Sequence, residues 1–419
     1  MRLDEFIEGF DRDEAAERRR LAREKSYAIT DHLETVEQQF EEAVQGESLF
    51  GATAPEIFVG RSEYPRVSAG VLAPMAQDQA TDPADFATDG AWYEQGLGID
   101  DVLERRTGLL NSSQPAQVEA ADAWEGFTGV QREVAIADRP VDVEVDLDGR
   151  PELDLSVDDI ATPTGPQARA TDATLAENPH VPQPVKKTLA DDDWAAQGAM
   201  RYLYRRGFDV YDINTILSAG ALGRTEERRL VPTRWSITAV DDAVGTYQRG
   251  RLRSAPSVDE VEVWQNSYLG NDYWVILAPG DWEFELLELK APGSIWNPAP
   301  DGEYHLAADS EGSEGRTGYV EETAGAYHAA RLAVLEELAD KDRGATCLVI
   351  RHARDAYWAP VGVWQVREGV RHAFEGTPAT AETFHGAVAT LVEELPVSLA
   401  ALRRKSTLVA GVQSRLREY

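Results

Sequence analysis

The sequence predicts an α+β fold of two mixed lobes with antiparallel sheets, a long N-terminal helix and a flexible C-terminal tail. Three observations point there. Residues 141–156, VDVEVDLDGRPELDLS, alternate apolar and acidic side chains around a DG pair. Residues 261–289 hold three strand-like runs, VEVWQNSYL, NDYWVILAP and DWEFELLEL, parted by GN and PGD. Helical stretches then follow the strands in blocks, with none of the strict strand-helix alternation of a parallel α/β sheet.

Taken in order, residues 1–45 form a first segment whose stretch 4–45 is free of Gly and Pro between Asp11 and Val44, which predicts a long helix laced with ion pairs such as those of Arg18–Arg20 with Glu17 and Glu24. Residues 46–190 make the first lobe. Its opening, SLFGATAPEIFVGRSEYPRVSAGVLAP, places two short strands on either side of a turn that presents Arg61, Tyr64 and Arg66. In the 141–156 hairpin Asp142, Glu144 and Asp146 share a face; this is the solvent face of a sheet, although three aligned carboxylates are also what a metal would need. Residues 157–190, rich in Pro, Thr, Asp and Ala, read as a connection. The second lobe spans 191–396. A helix over DDDWAAQGAMRYLYRRG, capped by Asp191 or Asp192, opens it, and an antiparallel meander over 261–289 follows. A helix over 320–340, strands at ATCLVIRHA and VGVWQVREGV, and a closing helix at TAETFHGAVATLVEEL complete it. Residues 397–419 are the basic tail.

Composition narrows the function classes. The chain of 419 residues carries 74 acidic against 41 basic side chains, a net charge of -33, and nearly all of the basic ones are Arg. Acidity spread this evenly keeps a protein hydrated in molar salt, so the setting read here is a halophile's cytoplasm. It does not exclude DNA as a partner, because contacts made at high ionic strength rest on Arg forks and stacking more than on bulk charge. Cys347 is the single cysteine and lies in an apolar run, which leaves neither an intramolecular disulfide nor a cysteine zinc site. No stretch is long and apolar enough to span a membrane, and MRLDEFIEGF is too acidic for a signal peptide. No cofactor is called for: neither GxxxxGK[ST] nor a spaced GxGxxG occurs, there is no GxSxG elbow, and the seven His form no HExxH.

The densest polar and aromatic cluster is RRLVPTRWSITAVDDAVG, residues 228–245. Pro232 and Thr238 place Arg234 to Ser236 on a strand-to-helix corner, a common place for a site. Arg61, Arg228, Arg234 and Trp235 are the candidate DNA-contacting residues; the competing reading pairs Arg234 with Asp241 or Asp242 inside the fold. A weaker signal is E-x-K at Glu288 and Lys290, which with Asp272 or Asp281 is the set a metal-dependent nuclease uses to hold a divalent ion and steady the attacking water. At the end of the chain Gln413, Leu416 and Tyr419 are spaced by three, so that one 3₁₀ turn aligns the last two. Five basic residues against one acid in 397–419 flank them. This spacing is similar to the PIP box through which repair proteins dock on the sliding clamp PCNA. PIP boxes commonly carry two adjacent aromatics and this chain has one, so micromolar affinity is expected.

FVGRSEYP, LYRRGFDVYDINTILSAGALG, VPTRWSITAVDD, DWEFELLELKAPGSIW and PVGVWQVREGVR together, with the terminal heptad, resemble the archaeal Nre family of DNA repair proteins from about residue 48 to the end. The resemblance implies repair of damaged DNA and clamp docking through Gln413, Leu416 and Tyr419. It implies no reaction chemistry. Some members begin with a cysteine zinc finger; with no Cys before Cys347, none is expected here.

Overall fold

Six strands build the first sheet: β1 (Ser48–Ala52), β2 (Ile57–Val59), β3 (Arg66–Pro74), β4 (Leu109–Gln117), β5 (Asp142–Leu147) and β6 (Gln167–Leu175). The computed structural model describes residues 48–75, 82–119, 124–149, 160–292, 294, 296–297, 302–316 and 318–414; the expected helix over residues 4–45 lies outside them. The strand order is β1-β5-β6-β4-β3-β2, with β4 and β6 parallel and every other pair antiparallel. In β5 burial alternates along the strand, with Val143, Val145 and Leu147 inside and Asp142, Glu144 and Asp146 toward solvent, as expected of a sheet with one wet face. The partners of β5 are β1 and β6; the second arm expected for the hairpin lies outside the described residues. Residues 157–190 are more than a connection, since β6 sits in the middle of the sheet. Its buried side chains Ala168, Ala170 and Ala173 are too small to announce a core strand.

The helices of this part of the chain are α1 (Ala91–Glu94), α2 (Ile99–Thr107), α3 (Gly126–Ala135), α4 (Gln183–Ala190), α5 (Ala196–Tyr204), α6 (Val210–Ser218) and α7 (Thr233–Arg251). Phe127 and Val134 of α3 join Val59, Val67, Val71, Leu110, Val143 and Val145 in the core. The expected acid cap before α5 is absent. Asp192 instead accepts the hydroxyl and amide of Thr225, and α5 starts at Ala196 without a side-chain cap. This compact unit comprises the described residues up to Tyr247 together with Pro360–Trp364; a second unit begins at Gln248.

The second unit has its own six-stranded sheet: β7 (Val261–Tyr268), β8 (Asn271–Ala278), β9 (Glu283–Lys290), β10 (His305–Glu311), β11 (Thr346–Ala353) and β12 (Ala379–Ala381), in the order β10-β9-β11-β8-β7-β12. The hairpin β7–β8 forms as expected. The meander does not continue, because β11 lies between β8 and β9, antiparallel to the first and parallel to the second. Both neighbours of β11 are buried apolar runs, and the insertion gives each of them a paired partner on that side.

Helices α8 (Ala324–Lys341), α9 (Trp364–Arg371), α10 (Phe384–Val392), α11 (Leu399–Lys405) and α12 (Thr407–Ser414) complete this part of the chain. Successive side chains of β9 point to opposite faces. Phe284 meets Tyr327 of α8, while Leu287 and Leu289 pack with Val388, Leu391, Leu402 and Val409 of α10, α11 and α12. Two expectations change here. VGVWQVREGV is a helix over most of its length, and Gln365, Arg367 and Glu368 are buried in it. The segment after 397 is helical through Ser414 where a flexible tail was expected, because Leu402 and Val409 enter the core and Glu285 of β9 caps the start of α12.

Candidate functional site

The two motifs singled out in the sequence meet. Thr233 Oγ1, at the start of α7, accepts the backbone N–H of Val59 at 2.9 Å, tying the VPTRWS segment to the end of β2. The helix starts at Thr233, earlier than Thr238, because the carbonyl of Pro232 accepts the amides of Trp235 and Ser236. Arg234 to Ser236 thus occupy the first turn, after an extended stretch bridged at Arg229 to Glu119. The Tyr64 and Trp235 rings meet edge to face with centroids 4.9 Å apart, and both remain exposed, at 53% and 41%. An exposed aromatic pair of this kind is the surface on which a base can stack.

Beside the pair is a cleft of about 510 Å³. It is lined by Phe58, Val59, Gly60, Arg61 and Ser62, by Ala161, Thr162, Thr164 and Gln167, and by Ser68, Pro232 and Arg234. Arg61 is exposed and makes no ion pair among the described residues; Arg234 is half-buried. No carboxylate stands among these lining residues, in a chain whose acids far outnumber its bases. Glu63, near the rim, faces Arg66 at 4.0 Å.

The lining segment around Thr162 and Thr164 is tied to a buried polar network. Arg106 is 1% exposed, and its Nη1 lies 2.8 Å from Glu56 Oε2 while its Nε donates to the carbonyl of Pro163 at 2.8 Å. Thr88 donates its amide to Glu56 at 2.7 Å and its hydroxyl to Thr162 at 2.8 Å. Gly165 lets this segment close on α2 and β4: a Cβ there would lie 2.2 Å from the carbonyl oxygen of Leu109 and 2.6 Å from that of Arg106. Thr164 Oγ1 is buried without a hydrogen-bond partner. None of Glu56, Thr88, Arg106, Thr162 or Thr164 has a local sequence signal, apart from the RR pair that includes Arg106. Their association is made by long-range contact.

Arg228, expected with Arg61 and Arg234, lies elsewhere. It is 3% exposed and donates to the carbonyls of Gly223 at 2.9 Å and Leu189 at 2.8 Å. Burial holds its guanidinium below the usual Arg range, and burial together with nearby Arg228 lowers Arg132 to about 10. Arg228 binds the loop before α7, so the site loses one of its expected cations.

The E-x-K pair lies on β9. Glu288 is 3% exposed, with Arg351 Nη1 at 2.6 Å and Lys290 Nζ at 3.4 Å. Burial pushes its carboxyl up, but Lys290 and Arg351 outweigh this and hold it below the ordinary Glu value. Asp272 accepts the Ser267 hydroxyl at 2.7 Å and faces Arg354 at 3.2 Å and His352 at 3.5 Å, while Asp281 is exposed ahead of β9. Among the described residues no three His, Cys, Asp or Glu side chains come together in a way that could hold a metal ion. Cys347 is buried in β11, where burial pushes its thiol up. No helix among the described residues is long and apolar enough to cross a membrane. Gln413 falls in the last turn of α12; Leu416 and Tyr419 lie outside the described residues.

The sequence matches the family profile of archaeal Nre, N-terminal, over residues 21–297 and that of archaeal Nre, C-terminal, over residues 311–419. It is 66% identical over 422 residues to the DNA repair protein NreA of Haloferax volcanii, covering 100% of both chains. Identity to the DNA repair protein NreA of Archaeoglobus fulgidus is 37% over 334 residues, covering 80% of this chain and 82% of the relative. The DNA repair protein NreB of the same organism is 33% identical over 372 residues, covering 88% and 92%. No solved structure matches. Two profiles that together take in nearly the whole chain, and relatives aligned along most of their length, establish that the chain belongs to the archaeal Nre family.

Proposed function

We propose that this protein is a DNA repair factor of a halophilic archaeon that contacts DNA with the face carrying Arg61, Tyr64, Arg234 and Trp235 and docks on the sliding clamp PCNA through Gln413, Leu416 and Tyr419. The repair role is supported by relatives that bear it in their names. One observation supports the DNA contact above all others: two segments distant in the chain bring two arginines to a cleft without lining carboxylates and two exposed aromatics into contact with each other. Arginine pairs phosphate oxygens two at a time and aromatic faces stack on bases, which is the chemistry of single-strand binding. Clamp docking is supported by the spacing of the heptad and its basic flank. In that docking the apolar Leu416 and the ring of Tyr419 fill a pocket of the clamp while the Gln413 amide meets backbone groups.

The alternative, a metal-dependent nuclease at Glu288 and Lys290, has less support because the Glu288 carboxylate is already taken by Arg351 and Lys290. Both halves of the proposal are tested on the full chain at high salt. Fluorescence anisotropy with single-stranded DNA is expected to show binding that weakens in Arg61→Ala and Arg234→Ala. Calorimetry with PCNA is expected to show micromolar binding that disappears in Leu416→Ala/Tyr419→Ala and in a chain ending at Val412. Equal clamp affinity for all three chains would remove the heptad from the proposal.

A further inference from the structure

The cleft beside Tyr64 and Trp235 has more structure than contact with a continuous DNA backbone requires. Phosphates along a strand are met on an open surface; a recess of about 510 Å³ is in the size range of sites that enclose a small molecule. Its chemistry divides in two. Arg61 and Arg234 supply positive charge, and Arg234 brings with it the first turn of the 19-residue helix α7, whose amide end favours an anion. Phe58, Val59 and Pro232 supply apolar surface, and Thr164 and Gln167 supply polar groups.

Thr164 carries the inference. It is 2% exposed, and its hydroxyl has no partner among the described residues. A buried hydroxyl left unpaired is unfavourable, and one in the lining of a cleft has a hydrogen bond that a ligand there can complete. The segment that holds it is fastened by Arg106, itself paired with Glu56, to the Pro163 carbonyl and by Thr88 to Thr162. Resting on the DNA-contact reading above, we propose that the cleft receives one nucleoside monophosphate unit, the phosphorylated terminal nucleotide of a DNA strand. The phosphate lies between Arg61 and Arg234, the sugar and base rest on Phe58, Val59 and Pro232, and a polar group of the nucleotide pairs with Thr164. Tyr64 and Trp235, outside the recess, take the neighbouring bases of the same strand, which a free nucleotide lacks.

The test is anisotropy at high salt with three probes: a short single strand bearing a terminal phosphate, the same strand without it, and a fluorescent deoxynucleoside monophosphate, with inorganic phosphate as competitor. The phosphorylated strand is expected to bind at least tenfold more tightly than the unphosphorylated one. Thr164→Val, which keeps the shape and removes the unpaired hydroxyl, is expected to erase most of that preference at a melting temperature no lower than the parent's. If the free nucleotide binds as tightly as the strand and with the same sensitivity to Thr164→Val, the site stands and its source is a free nucleotide. If strands bind with no preference for a terminal phosphate and no response to Thr164→Val, the inference fails while the DNA contact survives. If no probe binds, both fail. If inorganic phosphate binds as tightly as the nucleotide, the recess is an anion site only and the nucleotide assignment is overturned.

Discussion

Glu285 Oε2 accepts the backbone amide of Leu408 at 2.8 Å, so that a strand in the second sheet holds the first turn of α12. The same carboxylate accepts the amide of Thr407 at 2.8 Å and the hydroxyl of Ser406 at 2.7 Å. Burial pushes the Glu285 carboxyl up and these donors pull it back, leaving it above its ordinary value. Glu285→Ala leaves three donors without their acceptor and is expected to cost about 2–4 kcal/mol; Glu285→Gln keeps one acceptor oxygen and costs about 1–2 kcal/mol. Trypsin cleavage around Arg403–Lys405 should accelerate in the same order, because undocking α12 exposes those bonds. An Ala variant as resistant as the parent chain would show that Leu402 and Val409 hold the segment unaided.

The pair of Arg106 and Glu56 predicts a second result. Removing one partner of a buried ion pair strands the other charge, at a cost of about 3–5 kcal/mol. Arg106→Met should therefore lower the melting temperature, while Glu56→Gln/Arg106→Met together should recover part of the loss. Because Arg106 also holds Pro163, the single variant is expected to weaken nucleotide binding as well.

Arg234 and Asp242 separate two readings of α7. If Arg234 acts by contacting DNA, Arg234→Ala weakens binding at an unchanged melting temperature and lowers the slope of log K against log salt by about 1. If Arg234 is a structural partner of Asp242, the same change costs about 3–5 kcal/mol of stability. Melting curves alongside the titration decide between them.

Asp309 gives the pH dependence. It is 7% exposed and accepts the amides of Glu321, Glu322 and Thr323 and the Thr323 hydroxyl. Burial alone would raise its carboxyl, but these donors outweigh burial and hold it below the ordinary Asp value. A carboxyl depressed on folding contributes stability above its unfolded value of about 3.9, and that contribution is lost as pH falls through the lower folded value. Asp309→Asn should cost about 2–3 kcal/mol at neutral pH and should narrow its gap to the parent chain as the solution is acidified below about pH 4. A gap that is constant with pH would mean that the carboxylate's charge is not what the loop before α8 requires.

The sequence by itself determined the α+β class, the strands β2, β3 and β5, the hairpin β7–β8 and the family, because each rests on local patterns. Val143, Val145 and Leu147 alternate with Asp142, Glu144 and Asp146 only because one face of β5 is wet. FVGRSEYP and VPTRWS were legible as site candidates because exposed Arg and aromatic side chains next to Gly and Pro have little reason to be there as packing. Only the tertiary structure decided what these segments do together. The insertion of β11 between β8 and β9 follows from pairing across the sheet, which no local period encodes. Residues 361–370 read as a strand from their Val-rich run, although Gln365, Glu368 and Arg371 recur at helical spacing; in the fold that polar face is turned inward, with Gln365 and Glu368 buried and Arg371 paired with Glu336 of α8. The chain after 397 read as a tail because the acid that caps α12 is Glu285, far back in the sequence. Arg228 looked like Arg234 until burial separated them: one spends its donors on the carbonyls of Gly223 and Leu189, the other lines a cleft. A charged side chain's role is set by what surrounds it, and for Arg61, Arg234 and Thr164 the surroundings come from strands, loops and a helix start that only folding brings together.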